Sequence, residues 1–163
     1  YGHALIEGIN SIKTEYFCII NADGSMNPSE LKNMLSKIQD NNYDVIFGSR
    51  YMKNAGSEDD DLITLIGNYF FTRMGNVFFK LRISDILYTY VLGKTKLVKK
   101  LNLTYGDFKI CVELPIKTHK NNYSYISTPS FERKRIAGKK KVSPFSDGLK
   151  ILFAMINLFF KKN

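Results

Sequence analysis

Histidine and cysteine are scarce in this 163-residue chain, with two of each, and neither type clusters. No His or Cys group has zinc-ligand spacing, which excludes a zinc-finger type module. His3 and His119 stand alone and read as surface or packing residues. Cys18 lies in an apolar strand pattern and Cys111 in a helical one, so both read as buried free thiols in a reducing compartment. Long apolar runs are lacking too. Residues 62–81 are rich in Phe, Leu and Ile, but Arg73 and Lys80 interrupt them, and the apolar part of 148–160 is too short to span a bilayer. Repeats and low-complexity tracts are absent apart from Lys139-Lys140-Lys141. No signal peptide opens the chain, which starts at Tyr1 within a helical pattern. We therefore expect a piece of a longer protein. Strands before residue 1 would also cover the otherwise open side of a strand at 16–20.

Hydrophobic residues make up 44% of the chain, enough for a core in one domain of ordinary size. The net charge of +9 is unevenly spread. Residues 132–163 carry nine Lys or Arg against Glu132 and Asp147, a local +7 that leaves +2 for the preceding 131 residues. A basic end of this kind suits phosphates, whether on a nucleotide, an anionic lipid surface or a nucleic acid.

The first third alternates helix and strand. Residues 4–12 are helical in pattern, and 16–20 form a continuous apolar strand of the kind covered on both faces. Pro28 suits a first helical turn, followed by Leu31, Met34, Leu35 and Ile38 at helical spacing. Residues 44–48 make a second buried strand. The expectation is a βαβ unit with two parallel strands. Residues 54–61 are polar and acidic and read as a mobile surface loop, with a helix pair at 62–81 after it. Helices are expected at 94–101 and 110–119, the latter weakened by Pro115. A strand at 123–127 and a helix at 147–160, capped by Ser146 or Asp147, complete the pattern.

Three segments could carry chemistry. Asn21-Ala22-Asp23-Gly24 closes the first strand, where open α/β sheets bind ligands. The carboxylate of Asp23 can hold a divalent cation, and the cation a diphosphate; as a bare tetrapeptide it is equally good turn chemistry. Gly48-Ser49-Arg50-Tyr51 leaves the second strand on the same sheet edge, and an Arg there can bond phosphate oxygens. Residues 131–141 place cations on both sides of Gly138, suiting a loop that closes over a diphosphate. As a charge run alone this last segment is also a solvated loop or nucleic-acid tail.

Taken in order, Asn21-Ala22-Asp23-Gly24…Pro28, Gly48-Ser49-Arg50-Tyr51, Ser84-Asp85 and Arg135-Ile136-Ala137-Gly138 with Lys141 resemble family 2 glycosyltransferases. The nearest resemblance is to the polyprenyl-phosphate sugar transferases of the dolichyl-phosphate mannosyltransferase type. The resemblance implies an α/β, GT-A type nucleotide-sugar (Rossmann-like) fold, mostly parallel with flanking helices, its first strands lying upstream. Residues 1–146 would be the later two thirds of the catalytic domain, and 147–163 an amphipathic helix at a membrane interface. The resemblance gives Asp23, with Asn21, the role of ligating Mg²⁺ or Mn²⁺, and Ser25 a neighbouring donor contact. It gives Arg50, Arg135 and Lys141 the phosphates, and Asp85 an acidic active-site position.

The implied reaction is metal-assisted inverting transfer from a UDP- or GDP-linked sugar to a polyprenyl phosphate, in cell envelope glycan biosynthesis. It would occur at the cytoplasmic face of a membrane, without nucleic acid, and the fragment alone would be inactive. An anionic acceptor needs no base; for a hydroxyl acceptor Asp85 is the candidate. Two other classes remain open at this point: a non-catalytic transferase remnant, which Asn21 favours, and a basic nucleic-acid-binding module using residues 133–141.

Overall fold

The computed structural model describes residues 1–138 and 143–161. Its elements run α1 (Gly2–Ser11), β1 (Tyr16–Ile19), a single 3₁₀ turn (Pro28–Glu30), α2 (Leu31–Asn41), β2 (Val45–Ser49), β3 (Gly56–Ser57), α3 (Leu62–Phe78), β4 (Val91–Lys94), α4 (Thr95–Lys100), α5 (Ile110–Lys120), β5 (Tyr125–Pro129), β6 (Phe131–Glu132) and α6 (Pro144–Phe160).

Four strands form the main sheet in the order β1-β4-β2-β5. β2 is buried along its length, as its apolar run requires. Its side chains alternate between two cores. Val45 and Phe47 join Phe17, Ile19 and Val91 under α1, α3, α5 and α6. Ile46 joins Leu92, Met26, Tyr88 and Tyr90 under Met34 and Ile38 of α2. A sheet covered by helices on both faces is the result.

The sheet corrects one expectation. β1 and β2 do run the same way, but they are not neighbours. β4 lies between them, antiparallel to both, and among the described strands of this sheet β2 and β5 are the parallel pair. The sheet is therefore mixed rather than mostly parallel. Gly93 makes the insertion possible, because a Cβ there would come 2.7 Å from the Phe17 ring. Residues 62–78 form one helix, not a pair, capped by Asp61 Oδ1 accepting from the Thr64 amide at 2.8 Å. α5 continues through Pro115, buried from Ile110 to Ile116, so packing outweighs the backbone bond the proline removes. Both cysteines are unpaired, and burial pushes the Cys18 thiol up to about 11, which makes it inert.

Residues 54–61 also differ from the expected mobile loop. β3 pairs in parallel with β6, and the Glu58 amide donates to the Glu132 carbonyl at 2.9 Å. The acidic segment is thereby fastened to the start of the basic one.

Candidate active site

β1, β2 and β5 share a direction, so the segments leaving them emerge on one sheet edge. Residues 20–27 and 130–136 lie alongside each other there. Glu30 accepts from the Ser130 hydroxyl at 2.6 Å and the Phe131 amide at 3.0 Å. The Ser25 carbonyl accepts from the Arg133 amide at 2.9 Å, and the Asp23 carbonyl from the Ile136 amide at 2.8 Å. Gly24 sits between them with φ +81°, where a Cβ would be strained and would meet Ile136 at 2.6 Å.

Asp23 is oriented by its neighbour. Its Oδ1 accepts from the Ser25 amide at 3.0 Å and the Ser25 hydroxyl at 2.7 Å. Oδ2 faces Arg135, whose Nη1 lies 3.9 Å away. Asn21 stands at the same turn, its Oδ1 3.5 Å from the Tyr1 hydroxyl. Burial raises the Tyr1 phenol to about 12, so it stays a neutral donor. Among the described residues no group of three His, Cys, Asp or Glu could hold a metal ion. One carboxylate oxygen and an amide oxygen do not make a protein-only cage. They do fit Mg²⁺ or Mn²⁺, which bind through one or two carboxylates, water and substrate phosphates.

Arg135 is held on its other edge by Asp59. Nη2 donates to Oδ2 at 2.6 Å and Nε to Oδ1 at 3.2 Å, a two-point contact. The hydrogen bond Arg135 donates to Asp59 raises the guanidinium pKa, with Asp23 adding to the effect. Lys134 donates its amide to Glu58 at 3.1 Å. Lys141 lies outside the described residues.

Arg50 and Asp85 are elsewhere in character. Asp85 has no exposed surface. Its carboxylate accepts from Arg50 Nε at 2.8 Å, Arg50 Nη2 at 3.0 Å and Asn68 Nδ2 at 2.5 Å. Arg50 Nη1 donates further to Asp60 at 3.0 Å and Glu132 at 3.1 Å. Its guanidinium also lies over the Tyr88 ring, 4.7 Å from the centroid. Burial opposes the charge, but Asp85 and Glu132 more than offset it and hold the Arg50 pKa well above its ordinary value. Three carboxylates thus occupy the arginine expected to meet phosphate, and Asp85 has no access from which to act as a base.

The structure brings together Asn21, Asp23, Ser25 and Arg135, and places Arg50 and Asp85 in a buried cluster of their own. Sequence reasoning missed Asp59, which sat in a segment read as solvated. The signal was a run of acids, Glu58 to Asp61, opposite a run of bases at 133–135.

A mixed sheet between helices, with an acidic turn and a basic segment at the strands' carboxyl edge, defines a GT-A-like α/β fold. The chain belongs to glycosyl transferase family 2, whose sequence model matches residues 1–102. In fold it is similar to glucosyl-3-phosphoglycerate synthase from Mycobacterium tuberculosis in complex with UDP, with TM-score 0.72 and 8% identity, covering 100% of this chain and 56% of that one. The same enzyme in complex with Mn²⁺, UDP and phosphoglyceric acid matches with TM-score 0.72 and 9% identity, covering 100% of this chain and 55% of that one. Its structure without a named ligand matches with TM-score 0.64 and 9% identity, covering 99% and 56%. The chain therefore spans little more than half the length of these solved structures.

Proposed function

We propose that the protein transfers a sugar from a nucleotide-sugar donor to a lipid phosphate at a membrane surface, inverting the anomeric centre. The observation that carries the reading is Arg135 turned toward Asp23 at the edge of the sheet, one cation and one carboxylate 3.9 Å apart. Support comes from the family match and from glucosyl-3-phosphoglycerate synthase, solved in complex with Mn²⁺, UDP and phosphoglyceric acid.

Asp23 Oδ2 and Asn21 Oδ1 would hold Mg²⁺ or Mn²⁺. When bound, the ion supplies charge stabilisation to the departing diphosphate. Ser25 aims Asp23 by donating two hydrogen bonds to Oδ1. An acceptor phosphate oxygen attacks the anomeric carbon as the bond to the nucleoside diphosphate breaks. Arg135 faces the negative charge that accumulates on the leaving oxygen. The acceptor is already anionic, so no side chain need remove a proton, in keeping with the enclosure of Asp85. Lys141 is proposed to assist Arg135.

The lipid acceptor draws support from the outer faces of two helices. α3 and α6 pack together, with Phe78 and Phe159 edge to face at 6.2 Å. Their outer surfaces leave Ile66, Tyr69, Val77, Leu149, Phe153 and Phe160 exposed. A surface so apolar on two adjoining helices marks an interaction site, and an acyl-chain boundary suits it. Among the described residues no helix is long and apolar enough to cross a membrane. The attachment proposed for this face is peripheral. We place it at the cytoplasmic face.

The test is incubation of the complete protein with Mn²⁺ and labelled UDP- and GDP-sugars, offering polyprenyl phosphate in vesicles or soluble phosphoglycerate. Label in the lipid fraction is expected. Label on phosphoglycerate alone overturns the lipid acceptor, and transfer to neither overturns the function.

A further inference from the structure

Asp59 belongs to no segment that the chemistry above requires, yet its position is supported by a series of contacts. Its support begins in the interior. Arg50, held by Asp85, donates to Glu132 Oε2 at 3.1 Å. The same oxygen accepts the Ser57 hydroxyl proton at 2.6 Å. Ser57 Oγ in turn accepts from the amides of Asp59 at 3.1 Å and Asp60 at 3.0 Å. One donor and two lone pairs of that hydroxyl are thus all in use. The pairing of Ser57 with Glu132 in the β3–β6 ladder fixes the register of the two segments.

The outcome is a carboxylate aimed at one edge of a guanidinium. Asp59 engages Nε and Nη2 of Arg135, and its side chain is only 13% exposed. A planar fork gripped at one edge cannot rotate. Nη1, on the other side, is left directed toward Asp23 Oδ2. We propose that Asp59 is a positioning residue for Arg135, fixing its guanidinium so that the Nη1 side meets a diphosphate held beside Asp23. This inference rests on the reading of the Asp23–Arg135 edge as a diphosphate site. The buried Arg50 cluster thereby acquires a role in binding without touching substrate: it is the far end of the chain of contacts that aims Arg135.

Affinity of the complete protein for inorganic pyrophosphate with Mn²⁺, measured by calorimetry, tests the proposal in four forms: wild type, Asp59→Asn, Arg135→Ala and the double variant. Asp59→Asn should weaken binding by about 10-fold, the scale on which an orienting partner acts. Arg135→Ala should weaken it further, and adding Asp59→Asn to Arg135→Ala should change nothing more. Asp59→Glu should recover most of the loss. Wild-type affinity in Asp59→Asn overturns the proposal. So does tighter binding, which would make Asp59 a competitor for Arg135, and so does an equal loss in the Arg135→Ala background, which would make it merely structural. If Asp59→Asn melts early, Ser57→Ala removes the turn while keeping both charges, and the same losses are expected of it. An unaffected Arg135→Ala, or a wild type that binds no pyrophosphate, removes the site itself and this inference with it. A sensitive Arg135 beside an insensitive Asp59 removes this inference alone.

Discussion

Arg50 and Arg135 both follow strands on the same sheet edge, and both have the chemistry to bind phosphate. Arg50 is 8% exposed and meets three carboxylates, whereas Arg135 has Asp59 on one edge and an open approach toward Asp23 on the other. The difference shows what burial does to a cation. Withdrawn from water, Arg50 is stable only with its charge matched several times over, and a side chain so matched has little left to offer a ligand. Arg135, at the rim, is held but not enclosed. On the proposed reading, one arginine builds the site and the other works in it.

Removing each charge should separate the two roles. The largest effect is expected from Arg50→Ala, which strands Asp85 and leaves Asp60 and Glu132 short of a partner. Loss of one member of a buried ion cluster costs about 3–5 kcal/mol. Urea unfolding should show it as a lower midpoint, and a change under about 1 kcal/mol would mean that the cluster is more hydrated than its burial implies.

Asp23→Ala comes next, with the effect in turnover rather than folding. Transfer should fall on the order of 10³-fold as the metal's contribution is lost, while the urea midpoint moves little. Unchanged turnover would dismiss Asp23 as a metal ligand. Arg135→Ala should follow the same pattern more mildly, with about a 10²-fold loss of transfer and less than about 1 kcal/mol of stability, since its pair with Asp59 is near the surface. If Arg135→Ala instead unfolded the protein as Arg50→Ala is expected to, the contrast between the two would collapse.

How much of this was legible in the sequence varies with the range of the interaction. The buried strands at 16–20 and 44–48 and the helix after Pro28 followed from local apolar spacing, and the structure has them at Tyr16–Ile19, Val45–Ser49 and Leu31–Asn41. The order of the sheet did not follow, because nothing local says that residues 91–94 insert between two strands far earlier in the chain. The structure sets Asp23, Ser25 and Arg135 side by side; the resemblance of the ordered motifs groups them, whereas position on the sheet edge alone joins Asp23 to Arg50. The separation of Arg50 was not legible, since its partners Asp60, Asp85 and Glu132 are distributed over three segments. Glu113 shows the same limit. It reads as one charge on a helix, but it has no exposed surface and accepts from the amides of Thr104 at 2.9 Å and Tyr105 at 2.8 Å.

A third ion pair, more exposed than the other two, sharpens the comparison. Asp44 Oδ1 accepts from Lys94 Nζ at 2.9 Å, and Oδ2 accepts from the amide and the hydroxyl of Ser124, each at 2.9 Å. The side chains of Lys94 and Asp44 are 27% and 20% exposed. Burial pushes the Asp44 carboxyl up, but the bonds from Lys94 and Ser124 outweigh it and hold the group below its ordinary value. A carboxylate depressed in the folded state stabilises above its unfolded pKa, about 3.9, and that contribution is lost as pH falls through the lower folded value. Unfolding free energy measured from pH 6 down to pH 3 should therefore decline below about pH 5. The Asp44→Asn variant should decline less, by a fraction of a kcal/mol, because the pair is partly solvated. Pyrophosphate affinity at pH 7 should not change in Asp44→Asn. A loss there would mean that ion pairs throughout the fold act on the site, and that the link from Arg50 through Asp59 to Arg135 has no special standing.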